Sequence, residues 1–168
     1  MKKFLFIMAI IGFAGISSTL CADEKSGVYV GIGANVEAVP VGYDSSGIGF
    51  SLKLGTHLDE VLPKLGVEAE YTNSLSDPED RASHKVDIQT LAAYMTYDIC
   101  FNNSPVFVRP RIGFMVPNVG DKINSRDFGL SAGTDVGVAI SNNVSVYFGY
   151  TNMGETVNDY TLGVEIYF

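Results

Sequence analysis

Tryptophan is missing from this chain, and only two histidines and two cysteines occur among its 168 residues; charged side chains make up just 18%. Each scarcity closes a class of function. So few Cys and His leave no disulfide framework and no Cys-rich or His-rich metal constellation. Cations are scarce as well: 11 Lys and Arg stand against 19 Asp and Glu, a formal charge of −8. That balance disfavours nucleic acid, whose phosphates need clustered bases. There is no nucleotide-binding motif, and no cofactor is expected. Past the N-terminus no apolar run approaches the ~20 residues of a membrane helix, and no stretch carries a helical period.

What is present begins with a leader. Lys2 and Lys3 precede an apolar run from Phe4 to Ile16, and Leu20-Cys21-Ala22 serves as a cleavage site. Residues 1–22 therefore read as a secretory signal peptide, to be excluded from the fold, with 23–168 as the one domain. Cys21 raises the question of a lipidated leader, but Leu20 is larger than the small residue that normally precedes such a cysteine. Cleavage leaves nine basic against nineteen acidic residues, a formal charge of −10. It also leaves Cys100 alone, read as a small apolar residue with no disulfide.

The rest of the chain alternates. The clearest stretch is 159–168, where Tyr160, Leu162, Val164, Ile166 and Phe168 share one face and Thr161, Gly163, Glu165 and Tyr167 the other. Successive strand side chains point to opposite faces, so this is a strand with one apolar and one polar side. Its length matches the ~9–11 residues a tilted strand needs to cross a bilayer. Seven more such segments cover 27–36, 48–57, 65–75, 86–100, 106–116, 128–140 and 144–151. In 86–100 the apolar face is assigned to Val86, Ile88, Thr90, Ala92 and Tyr94, although Leu91, Met95 and Tyr97 lie on the other side. Long polar links at 37–47, 76–85, 117–127 and 152–158 alternate with shorter ones at 58–64, 101–105 and 141–143. That is an up-and-down antiparallel meander of eight strands.

Glycine decides which face is inside. Twelve strand glycines, from Gly31 and Gly33 in the first segment to Gly163 in the last, all lie on the polar face. Glycine packs nothing and weakens a strand, so a row of them facing water has no purpose. An eight-stranded barrel is barely wide enough inside for side chains, and small residues there make room for large ones. The polar face is therefore the lumen. The Val, Ile and Leu face looks outward, which is stable only in lipid, and a closed barrel satisfies its backbone there.

Lumen parity collects Lys53, Glu70, Arg111 and Asp135 near mid-strand, and Glu68, Arg109 and Glu165 nearer the short turns. Three cations against four anions are expected to pair across a narrow lumen, because unpaired buried charge is costly. Two features strain the pattern. Pro110 falls mid-strand, where it removes a ladder hydrogen bond, so a β-bulge or local break is expected. With no Trp, any aromatic girdle falls to Phe50, Tyr71, Phe128, Tyr150 and Tyr160 toward the loops, and Tyr94 and Phe168 toward the turns.

These residues resemble the small eight-stranded outer-membrane barrels of Gram-negative bacteria, the OmpX/OmpA-transmembrane-like superfamily. The most specific part is Tyr147-Phe148-Gly149-Tyr150 followed by the run from Tyr160 to Phe168. The resemblance implies that Tyr160, Leu162, Val164, Ile166 and Phe168 form the signal read by the outer-membrane assembly machinery. It also implies an integral outer-membrane location, with membrane lipid and lipopolysaccharide as surroundings. Members differ in role, so the family does not fix the function.

A scaffold presenting four extracellular loops is the leading expectation, with Tyr43, Asp44, Asp77, Glu79, Arg81 and Asp121 as candidate contacts for a surface ligand. A narrow porin-like channel is the alternative. A lipid A-modifying enzyme is the third reading, and it needs a His and a nucleophile within ~3 Å. Ser83 and His84 are chain neighbours that point apart, and His57 sits at the turn end, far from the outer leaflet. No enzymatic activity is therefore expected. Asp77, Glu79 and Asp80 read as a solvated acidic tip rather than a cation site.

Overall fold

The computed structural model describes residues 27–38, 46–76, 88–101, 104–119, 128–153 and 157–168. The leader and all six candidate loop residues, Tyr43, Asp44, Asp77, Glu79, Arg81 and Asp121, lie outside them, as do Ser83 and His84. The alternating segments form β1 (Val28–Ala38), β2 (Gly47–His57), β3 (Leu65–Ser76), β4 (Ile88–Tyr97), β5 (Ile99–Cys100), β6 (Val106–Val119), β7 (Gly129–Ser141), β8 (Val144–Met153) and β9 (Val157–Tyr167). Consecutive strands pair antiparallel, except that β4 and β5 pair with β6 and not with each other. β1 also pairs with β9 (Tyr29 opposite Tyr167, Glu37 opposite Asp159), and β4 pairs with β6. Among the described residues the ladder closes on itself through the β1–β9 and β4–β6 pairings, which is the condition for β-structure in lipid.

β4 and β5 are two halves of one wall strand, so the wall has eight. Thr96 faces Arg111 and Ile99 faces Val108. Both strands advance by three residues, so nothing is inserted and there is no bulge. The two missing pairs, Tyr97 with Pro110 and Asp98 with Arg109, are those that need an amide donor at residue 110. Proline has none. The strain anticipated at Pro110 is thus resolved as a local break, while on the other side the amide of Asp98 continues the β3 ladder onto the carbonyl of Lys64, just before that strand, at 2.9 Å. Replacing Pro110 with Ala is expected to supply the donor. Amide 110 should then resist hydrogen exchange as its neighbours do; rapid exchange there would mean the gap has another origin.

The faces lie as the glycines require. All twelve strand glycines are buried or half-buried, none exposed, while Ile32, Leu54, Ile112, Phe114 and Leu162 stand exposed on the outside. In water such a skin would be ruinous; in lipid it is the stable arrangement. Phe50, Tyr71, Phe128, Tyr150, Tyr160 and Phe168 face outward. Phe50 meets Tyr71 edge-on and Tyr150 lies 5.4 Å from Tyr160, so the loop-side aromatics pair across strands.

One strand is reversed from expectation. Leu91, Met95 and Tyr97 of β4 face lipid, whereas Ala92 and Tyr94 are buried in the lumen beside Thr90 and Thr96. Both faces of this strand carry apolar residues. The polar threonines, with Gly113 opposite Tyr94, tip Ala92 and Tyr94 inward. Tyr94 is therefore a lumen residue and no part of a girdle. Cys100 is also corrected: it is disulfide-bonded, its partner lying outside the described residues.

Candidate functional site

Strand parity alone delivers one side chain in two to the barrel axis, and the register stacks them. Four inward aromatics stand directly opposite a glycine: Tyr29 and Gly55, Tyr94 and Gly113, Phe107 and Gly137, and Tyr147 with Gly163 on one side and Gly137 on the other. A Cβ at Gly55, Gly137 or Gly163 would collide with the ring of its partner. The glycines therefore clear space for rings as well as for charges. Each ring in turn carries a cation. Lys53 Nζ lies 4.1 Å from the centre of Tyr147, Arg109 Cζ 4.8 Å from Tyr29 and 5.1 Å from Phe107, and Arg111 Cζ 4.8 Å from Tyr94. Such contacts are worth ~2 kcal/mol when desolvated.

The cations close onto carboxylates. Toward the turns, the Arg109 guanidinium donates to both oxygens of Asp98 (2.5 and 3.1 Å), to Glu165 at 2.9 Å and to the Tyr167 hydroxyl at 3.0 Å. Tyr167 donates onward to Glu165 at 2.6 Å. At mid-barrel, Arg111 donates to Glu68 at 2.9 Å and Glu70 at 2.8 Å, and also to Thr151. Lys53 donates to Asp135 at 2.7 Å. Glu68 ties the two levels together, accepting from Tyr29 at 2.8 Å and lying 3.9 Å from Lys53 and 4.0 Å from Arg109. All three cations and Glu68, Asp135 and Glu165 have wholly buried side chains. Charges this dry persist only when paired and hydrogen-bonded.

Glu68, Asp135 and Glu165 bring carboxylate oxygens within 4.8 Å of one another, a spacing suited to a hard cation. Lys53, Arg109 and Arg111 already lie against those oxygens, so the chain's own cations neutralise the cluster. On the loop side the lumen is polar and acidic. Asp159 accepts from Asn35 at 2.8 Å and from Thr161 at 2.6 Å, and Glu37 faces Asp159 across the β1–β9 seam.

The chain matches the model of the outer membrane protein beta-barrel domain over residues 6–168. It belongs to that family. It is accordingly an integral protein of the outer membrane. No curated protein matches it. Solved structures of the same fold include Neisserial surface protein A, at 22% identity and TM-score 0.56, covering 85% of this chain and 98% of that one. Ail of Yersinia pestis, crystallised with the heparin analogue sucrose octasulfate, aligns at 17% identity and TM-score 0.59 over 85% and 99%. OprG of Pseudomonas aeruginosa aligns at 14% and 0.59 over 86% and 97%. Identities this low establish the barrel and leave the role open.

Within this family barrel, the structure brings together all seven lumen residues singled out from sequence: Lys53, Glu68, Glu70, Arg109, Arg111, Asp135 and Glu165. Five partners went unnoticed. Asp98 follows the reversed β4, and reading that strand the other way round puts it in the lumen with Thr96. Glu37 lies within β1 rather than in the connection that follows it, and Asp159 shares the lumen face of Thr161. Tyr29 and Tyr167 hold lumen parity but were never considered as ring or hydroxyl partners. His57 Nε2 lies 3.2 Å from Asp98, and its ring stacks 6.2 Å from Tyr167, which makes it part of the turn-side mouth. Tyr160, Leu162, Val164, Ile166 and Phe168 all face outward along the β9 edge of the seam.

Proposed function

We propose that this barrel is a non-enzymatic scaffold whose lumen is closed by its charge network and whose four loop-side connections carry any surface interaction. The observation that carries the reading is the coincidence of three wholly buried cations, their carboxylates and four aromatic rings across one narrow section. A water-filled channel would leave those side chains wet. The connections at 39–45, 77–87, 120–127 and 154–156 hold eight acids and four bases. A partner of these loops is therefore neutral or cationic, unlike the polyanion bound to Ail. On the outer wall, lipid and lipopolysaccharide are the surroundings, and the outward row from Tyr160 to Phe168 serves the assembly machinery.

Planar-bilayer recording tests the closed lumen. The wild-type barrel is expected to give no steady conductance. Arg111→Ala removes the guanidinium that joins Glu68, Glu70 and Thr151, and should open a small cation-selective current because the remaining carboxylates line the gap. A steady open state in the wild type would instead favour a channel.

A further inference from the structure

The lumen holds more negative charge than its own cations answer. Among the described residues, seven buried carboxylates stand against three buried cations. Five of the seven share those cations at mid-barrel and toward the turns. The other two, Glu37 and Asp159, are wholly buried on the loop side, directly opposite each other across the β1–β9 seam. Side chains so placed start ~5 Å apart, and like charges there repel. Among the described residues the partners of Asp159 are neutral: Asn35 Nδ2 at 2.8 Å and the Thr161 hydroxyl at 2.6 Å. Asn35 is only 1% exposed, and its Oδ1 meets no hydrogen-bond partner. We infer that this corner of the lumen is a site for one calcium ion, held by Glu37, Asp159 and Asn35 Oδ1.

Ligand chemistry selects the ion. Every donor is an oxygen, which favours a hard cation over a transition metal. Two opposed carboxylates balance a charge of +2. Calcium accepts irregular sets of carboxylate and amide oxygens, whereas magnesium demands a regular octahedron and keeps its waters. Asn35 Nδ2 gives Asp159 the positive contact that the ion would give, and a half-turn of the amide carries Oδ1 to that side. An added Cβ at Gly49 would stand 2.7 Å from this Oδ1, so the glycine leaves the amide room to turn. The cluster of Glu68, Asp135 and Glu165 differs, because Lys53, Arg109 and Arg111 already lie against it. Glu37 is the last but one residue of β1 and Asp159 the third of β9, so the site lies at the end of the lumen that meets the cell exterior. The inference holds whether or not the lumen conducts.

Equilibrium dialysis with radioactive calcium tests it on the whole barrel, stripped with a chelator and refolded in detergent. The wild type is expected to bind one calcium ion tightly. Asp159→Asn keeps the size of the side chain and can still bond to Asn35 and Thr161. It should weaken calcium binding at least about tenfold, since ligand charge sets affinity at such sites. Glu37→Gln should do the same and serves if the first variant does not fold, folding being scored by heat-modifiable migration on a gel. Three results would overturn the assignment: no calcium bound by the wild type, binding undiminished in a folded variant, or displacement of the calcium by an equal concentration of magnesium.

Discussion

Arg109→Met is expected to lower the unfolding free energy of the barrel by about 3–5 kcal/mol, the usual consequence of removing one partner from a buried ion pair. Methionine fills similar space along the stem but strands Glu165, whose side chain is wholly buried, and leaves Asp98 only its contact with His57. Water cannot reach Glu165 to compensate. Adding Glu165→Gln removes one stranded charge and should restore part of the loss, which distinguishes uncompensated charge from lost packing. Arg109→Lys keeps the charge but not the two-pronged hold on Asp98, and belongs between wild type and Arg109→Met. Urea unfolding in lipid vesicles measures all four proteins. If Arg109→Met lies within ~1 kcal/mol of wild type, the network contributes little and the plug must be held by rings alone.

Gly113→Val should cost at least about 3 kcal/mol, the upper end for overpacking. A Cβ at residue 113 would run into the carbonyl oxygen of Ala93, an atom of the neighbouring wall strand. Backbone held in a closed ladder cannot step aside as a side chain can. Gly129→Ala is the contrast. There the nearest atom to an added Cβ is the flexible end of Met115, at 3.5 Å, and the change should be near neutral. Both variants are scored by the fraction that gains heat-modifiable migration after refolding into detergent. Equal tolerance of the two would mean that the glycines are not clearing space.

That contrast also marks what could be read from sequence. Glycine placement settled inside against outside because a missing side chain matters only where room is short. It could not tell which neighbour needed the room. Gly55, Gly137 and Gly163 stand opposite rings, information that resides in register, and register follows from pairings between distant strands. The β4 reversal has a similar cause. Ala92 and Tyr94 against Leu91, Met95 and Tyr97 is no contrast in polarity, so alternation there had no sign. Reading Thr90 and Thr96 as the polar markers would have turned the strand the right way and brought Asp98 to Arg109. The candidate loop contacts rest on exposure alone, and all six lie outside the described residues.

The seam between β1 and β9 has one more consequence. The amide of Phe168 donates to the carbonyl of Val28 at 3.0 Å, so the two ends of the described wall meet at the periplasmic rim. Like a hoop of staves, the wall depends on cyclic order and is indifferent to which stave is threaded first. A permuted chain, joined across that rim and opened at the tight turn of Asn142 and Asn143, would keep every ladder while moving the aromatic terminus elsewhere. Closure of the hoop and its delivery to the membrane are thereby separable properties of one sequence.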